Sequence, residues 1–383
     1  MQLGRCDIAR ERFVRTCFAR LPTWVVVLLV AVVGSPAQSH AAESDTLRRT
    51  TVRSRTNYYL DNDGNRIVTP LVAADAEVNK YVAIAAHAAL DIMTCASVDV
   101  ITAATPKGYF QETRQEAAGS VTLKRDLATL TLSGTGSREN DYGSATAAIA
   151  LSNEFAQRNT TLSLAYSYTD SDIGRAKDPN FQRDLNSHAL TLTWTQVLSR
   201  RWIVQASSFS GVLQGLQSSV YRMVRFNNGA ASPEVVPNLR LRQAVALQLR
   251  GALSRAWFVG ASYRLYLDTW GLRSHTMEAT VSVTPKRWLT LRLRDRLYLQ
   301  QGVDFYQSRF AGPMRLMSID RELGDFYGNL VGAKAEVFIA DLGRTATLGV
   351  DLKLDYMRQV FADFPWLPVR RMWMAEAGLR LTF

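Results

Sequence analysis

Residues 373–383 read Trp-Met-Ala-Glu-Ala-Gly-Leu-Arg-Leu-Thr-Phe, and this stretch decides the fold. Successive side chains of an extended chain point to opposite sides, so Trp373, Ala375, Ala377, Leu379, Leu381 and Phe383 share one face. Glu376, Arg380 and Thr382 share the other. The period is 2, the mark of a strand with one apolar and one wet side.

Working back from that strand, the same theme recurs to about Thr50. Leu162, Leu164, Tyr166 and Tyr168 oppose Thr161, Ser163, Ala165, Ser167 and Thr169. Leu190, Leu192 and Trp194 oppose Thr191, Thr193 and Thr195, and Leu348, Val350, Leu352 and Leu354 oppose Thr347, Gly349, Asp351, Lys353 and Asp355. Strand segments are expected at 51–60, 66–78, 81–93, 96–103, 113–124, 127–138, 144–156, 160–172 and 185–198. They continue at 201–213, 239–251, 257–270, 272–284, 288–300, 327–341, 345–356 and 370–383.

Alternation alone fits a soluble sandwich as well as a membrane barrel. Three features favour the barrel. The segments run to about ten residues, the length of a tilted strand across a bilayer. Their wet side is small and polar with scattered charges, as a water-filled lumen requires. Aromatic residues sit near segment ends, as at Tyr58, Tyr59, Trp270, Trp288, Tyr298, Tyr327 and Trp373, where rings meet the headgroups. The expected fold is all-β, a closed antiparallel transmembrane β-barrel. A barrel of this type has an even strand number, so one of the seventeen segments is in error or one strand is missed. Sixteen is the expected number, with fourteen and eighteen as alternatives, and the doubtful places are 96–103 and 302–323. Breaks at 174–183, 214–238 and 302–324 read as external loops, because such barrels keep their periplasmic turns short.

Residues 1–41 have the layout of a cleaved signal peptide: Arg5, Arg10, Arg12, Arg15 and Arg20, an apolar run Trp24 to Gly34, and small residues before a cut after Ala41. Ala42 or Ser39 would also serve as the cleavage position. The run holds 34 − 24 + 1 = 11 residues, against about 20 for a spanning helix. A short segment at 42–49 then leads into a barrel at 50–383, with no residues left for a plug or second domain. The formal charge of +11 becomes +8 once the leader's five Arg, Asp7 and Glu11 are removed (11 − 5 + 2). An anionic lipid surface or anionic solute suits an exported chain of this charge better than nucleic acid. With Cys6 and Cys17 in the leader, Cys95 stands alone, so neither an intramolecular disulfide nor a cysteine zinc site is expected.

Several phrases carry a resemblance: 58–64 (Tyr-Tyr-Leu-Asp-Asn-Asp-Gly), 96–106 (Ala-Ser-Val-Asp-Val-Ile-Thr-Ala-Ala-Thr-Pro), 112–114 (Glu-Thr-Arg) and 138–142 (Arg-Glu-Asn-Asp-Tyr). Together they resemble a porin-like family of Gram-negative outer-membrane proteins known only as a domain of unknown function, over about Tyr58 to Phe383. Cys95 departs from the pattern, where a small residue is expected. The resemblance implies a compartment, the outer membrane reached by the secretory pathway, and an architecture; it assigns no reaction. Outer-membrane barrels commonly end in an alternating strand with a terminal Phe. Trp373, Leu379, Leu381 and Phe383 therefore resemble the signal that the barrel-assembly machinery reads.

The candidate functional residues are lumen cations. Arg240, Arg242 and Arg250 alternate with leucines and valine, as do Arg292, Arg294 and Arg296 with leucines, and Lys353 stands on another wet side. Two facing ladders of this kind would favour anions. In the competing reading the cations brace the wall by pairing with Asp268, Glu336, Asp351, Asp355 and Glu376. Asp295 falls on the apolar side with Leu293 and Leu297; a bulge or an interfacial position would accommodate it. Of His87, His188 and His275, none lies in a metal or nucleophile spacing, and Ser187 points away from His188. The stretch 61–64, Asp-Asn-Asp-Gly, lacks the later Glu of a calcium loop and reads as a tight turn. No catalytic residue, metal ligand or cofactor is expected.

Two functional readings follow: a porin-like transport channel passing small or anionic solutes, or the barrel subunit of an export machine, for instance for an anionic polysaccharide, with periplasmic export proteins as partners. An outer-membrane hydrolase has least support. Outer-membrane lipid is the expected surroundings in each case.

Overall fold

A computed structural model describes residues 49–95, 110–176, 178–341 and 346–383. The expected leader with its cut at Ala41, nearly all of 42–49, and the expected strand at 96–103 lie outside the described residues.

The strands are β1 (Thr50–Asp61), β2 (Arg66–Asn79), β3 (Val82–Cys95), β4 (Phe110–Arg125), β5 (Ala128–Arg138), β6 (Tyr142–Phe155), β7 (Thr160–Ile173), β8 (Arg183–Val197) and β9 (Trp202–Gly215). After a small hairpin, β10 (Met223–Arg225) and β11 (Ala231–Pro233), come β12 (Leu239–Ala252), β13 (Trp257–Asp268), β14 (Arg273–Lys286), β15 (Leu289–Gln301), β16 (Phe326–Asp341), β17 (Thr347–Phe361) and β18 (Val369–Thr382). All but β10 and β11 form one closed barrel of sixteen strands, each paired antiparallel with its neighbours in chain order, with β18 closing on β1. Closure leaves no open edge, and in hydrocarbon that is required, since an unpaired backbone polar group has no water to bond.

The alternation read in the sequence is the division between lipid and lumen. Leu132, Leu151, Leu192, Leu247 and Leu352 are exposed on the outer wall, each between partly covered lumen-facing neighbours. Such a belt around a closed sheet is that of an outer-membrane barrel. Exposed aromatic rings rim it: Tyr81, Phe155, Trp194, Trp257 and Trp288 toward one end, Tyr58, Tyr166, Tyr263, Tyr327 and Trp373 toward the other. Three aromatics expected in the rims are elsewhere. Trp270 is 7% exposed, packed with Leu272 and Val303 beneath a loop, while Tyr59 and Tyr298 face the lumen and bond to Asp61 and Gln300. Their positions one residue out of phase with the outer face decide it.

One end of the barrel carries short turns, such as 80–81, 126–127 and 287–288, and the other carries the long connections 216–238 and 302–325. The long-loop end is the external one in this architecture. The turn after β1 matches its reading as a tight connection: Asp61 accepts from the N–H groups of Asp63 (3.0 Å) and Asn65 (2.9 Å), and Gly64 has a φ of 85°. Register shifts occur at Glu77/Asn79, Val283/Lys286 and Phe338/Ala340, all toward the short-turn end. None lies at Asp295, whose pairing with Ala279 and Val331 is regular. The Asp295 side chain stays on the outer wall and accepts a 2.9 Å hydrogen bond from Asn329 Nδ2 on the next strand.

Candidate functional site: the lumen and its cap

The lumen cations do not form two facing ladders. β12 and β15 are separated by β13 and β14 alone, so both Arg sets stand on one flank of the barrel. Several of these cations are tied to carboxylates. Arg240 bonds Asp268 through Nε (2.8 Å) and Nη2 (2.5 Å), with its guanidinium 4.2 Å from the Trp270 ring centre. Arg296 bonds Glu278 at 2.8 and 2.7 Å. Arg294 reaches Asp355 with both Nε (3.1 Å) and Nη2 (2.6 Å), the planar fork geometry that suits Arg and carboxylate.

From Asp355 the pairing continues as a chain. Lys353 lies 3.2 Å from Asp355 and 3.8 Å from Glu376, Arg55 is 3.1 Å from Glu376 and 4.0 Å from Asp351, and Lys334 is 3.7 Å from Asp351 and 2.8 Å from Glu336. Asp351, Asp355 and Glu376, foreseen as bracing carboxylates, all fall in this chain. Small residues make room for it: a Cβ on Gly332 would collide with Asp355 Oδ1, and one on Gly378 would stand 2.6 Å from Asp351 Oδ1.

The remaining cations are different. Among the described residues no carboxylate stands within ion-pair distance of Arg242, Arg250, Arg264, Arg292 or Arg380. Arg292 donates to Ser282 Oγ at 3.1 Å, and Arg242 faces the Phe209 ring with its buried Nε unpartnered. Arg250, Arg292, Arg200 and Arg201 line a cavity of about 550 Å³ near the short-turn end. Cations outnumber anions on this flank, and guanidinium groups without carboxylate partners in a confined lumen attract anions over distance and can hold them by paired hydrogen bonds.

At the external end, residues 216–238 and 302–325 fold on each other as a cap. Val224, Phe226, Phe310 and Met317 pack as a buried cluster, with bridges Phe226 to Phe310 and Val235 to Met317. Arg222 joins Glu234 (3.2 Å) to Asp320 (2.8 Å), and Ser318, fully buried, bonds Glu234. Arg321 pairs with Asp63 of the β1–β2 turn at 2.5 Å and stands over the rings of Phe361 and Phe364. Ser308 and Tyr306 bond Asp363 between β17 and β18. Farther around the ring, Tyr221 donates to Asp141 between β5 and β6 and accepts from the Ala176 N–H at 2.7 Å. The cap is thus anchored at connections four to six strands apart around the mouth.

Beside the Tyr221 anchor, ligand oxygens of Glu112, Glu139 and Asp141 lie within 4.8 Å of one another, the one place among the described residues where three carboxylates converge closely enough to share a cation. Sequence spacing gave no sign of it, since β4 supplies one member and the β5–β6 connection the others. Burial raises the Glu139 carboxyl above its usual value, with Asp141 and Asp91 adding to the shift and Arg114 opposing it. Burial likewise pushes the Tyr221 phenol up to about 12, so it remains a donor to Asp141. The histidines are dispersed. His188 and His275 lie on the outer wall, bonded to Tyr166 (2.8 Å) and Tyr263 (2.7 Å), and His87 lies in the lumen 3.3 Å from Glu116. Trp373, Leu379 and Phe383 are exposed on the outer wall of the closing strand and its end, and Leu381 shares that side.

Solved structures similar to this chain include a bacterial polysaccharide outer membrane secretin (8% identity over 89% of this chain and 99% of that one, TM-score 0.49). OprD of Pseudomonas aeruginosa (8%, 90% and 98%, 0.46) and OmpT of Vibrio cholerae (8%, 90% and 100%, 0.43) are also similar. No curated protein matches. A family model described as protein of unknown function (DUF3570) matches residues 92–188 and 175–360, more than half of the sequence, and the chain belongs to that family.

Proposed function

We propose that this protein is a porin-like channel of the bacterial outer membrane, reached by the secretory pathway, that passes small anionic solutes. The observation that carries the reading is the set of guanidinium groups left without carboxylate partners, above all Arg250 and Arg292 at the 550 Å³ cavity. Charges needed only to brace the wall would be matched, as Arg240, Arg294 and Arg296 are. An unmatched Arg in a lumen lowers the energy of an anion and raises that of a cation. The cap gives the channel a covered external mouth whose opening sets the current.

The reversal potential of purified protein in planar bilayers, under a tenfold potassium chloride gradient, tests the reading. The expected sign is that of anion preference, reduced in Arg292→Gln. A cation preference, or no current from folded protein, overturns it.

A further inference from the structure

Two opposite quarters of the lumen wall are chemically unlike. On β5 to β8, every lumen-facing position from 129 to 137, 144 to 152, 161 to 171 and 187 to 195 is Ser, Thr or Ala. On that side of these strands charges stand only at the strand ends: Glu154, held by Arg158 at a short turn, and Arg183 at the external start of β8, over the Phe181 ring. In a ring of sixteen strands the quarter facing them is β15 to β18, the strands of Arg292, Arg294, Lys334, Lys353, Glu376 and Arg380. Long cationic side chains occupy that quarter, so the open passage is displaced toward the wall of short side chains.

The short wall is hydroxylic but uncharged. Its hydroxyls meet across the strands: Ser137 and Ser144 Oγ are 3.1 Å apart, Thr146 and Thr169 Oγ1 2.8 Å, and Ser163 donates to Ser152 at 2.9 Å. A hydroxyl has one donor and two acceptor sites, so a single cross-strand bond leaves capacity for an incoming group. A solute bearing hydroxyls replaces the water on this wall nearly isoenergetically, and an alkyl chain strips it and leaves polar groups unpaired. An anion alone uses only the cationic side of the lumen. A neutral sugar uses only the Ser/Thr wall.

We propose that the solute is a polyhydroxylated anion of the sugar-acid class, its carboxylate toward Arg250 and Arg292 and its hydroxyls along the Ser/Thr wall. This rests on the channel reading above and names the substrate that the same lumen selects. Gluconate and hexanoate probe it, having one carboxylate and six carbons each but differing in hydroxyls. Reversal potentials under bi-ionic conditions against chloride should give gluconate a permeability above that of hexanoate by about threefold or more, the yield of one net hydrogen bond. In the triple variant Thr131→Val, Thr169→Val, Thr193→Val, which keeps side-chain shape, the ratio should fall toward one while anion preference persists. Circular dichroism confirms that the variant is folded. Anion preference with equal gluconate and hexanoate permeability overturns the sugar-acid inference and leaves the channel reading standing, as does a ratio unchanged by the triple variant. Where folded protein carries no current, the channel reading fails, and calorimetric titration of detergent-solubilised protein decides the recognition. Stronger heat of binding for gluconate upholds it, and equal or absent binding overturns it.

Discussion

Arg294 crosses over Gly332 to grip Asp355 on the strand beyond, Nε to Oδ1 at 3.1 Å and Nη2 to Oδ2 at 2.6 Å. The intervening residue has no side chain to obstruct the reach, and Asp355 is 1% exposed as a result. Gly332→Val should push the pair apart and lower thermal stability, read as a fall in unfolding midpoint by calorimetry. Asp355→Asn removes the counter-charge instead and should cost on the order of 3 kcal/mol, because it strands Arg294 and weakens the hold on Lys353. The same variant should also shift the reversal potential further toward anion preference. That joint outcome separates a wall brace from a solute contact.

The outer wall offers a reverse case. Asp295 lies among leucines and is relieved by Asn329 alone among the described side chains. Asp295→Leu should stabilise the barrel in lipid by on the order of 1 kcal/mol, since an acidic group on the lipid side carries a burial cost. Asn329 retains its 3.3 Å bond to the Arg296 carbonyl in that variant. Urea unfolding in vesicles measures the difference.

The cap should respond to its anchors. Tyr221→Phe loses the donor to Asp141 and the acceptor for Ala176 while keeping the ring, and should raise the open fraction in single-channel records. Phe310→Ala, at a position 1% exposed, should loosen the cap core by about 3 kcal/mol and give larger, noisier currents.

Acidity bears on the same corner. The Glu139 carboxyl is raised in the folded protein above its ordinary 4.5, so the folded state resists ionising it. Its contribution to stability is complete below the unfolded value and is lost as pH climbs from there through the raised value. Glu139→Gln should therefore stabilise the cap at neutral pH and make little difference below about pH 4, as followed by proteolysis of the loop at 216–238. A divalent cation bound by Glu112, Glu139 and Asp141 would reduce the gain.

The strands were legible because a half-buried strand writes its period directly into the chain, as Leu162 to Thr169 does. Removing the uncertain segment at 96–103 leaves the sixteen that close the barrel. The phase of individual aromatics was less legible. Tyr58 and Tyr59 read alike, yet one meets lipid and the other bonds Asp61. Which cations are paired was not legible at all, since Arg294 meets Asp355 from a distance of sixty-one positions, and Arg321 meets Asp63 from 258. Period places a side chain on a wall; only the closed ring and the fold of its loops bring distant walls and connections together. The neutral wall of the lumen was in plain view as alternating Ser and Thr, but its meaning depends on what stands eight strands away.

The pairing of β1 with β18 sets a constraint on how the molecule comes into being. Thr51 and Thr382, 331 positions apart, lie hydroxyl to hydroxyl at 3.3 Å. Until β18 arrives, the sheet has two raw edges able to recruit any extended chain nearby. Local hairpins form early, but the contact that seals the ring spans nearly the whole sequence and comes at the highest loop-closure cost. A chain shortened by even that one strand is therefore expected to be a sticky, unclosed sheet rather than a smaller pore.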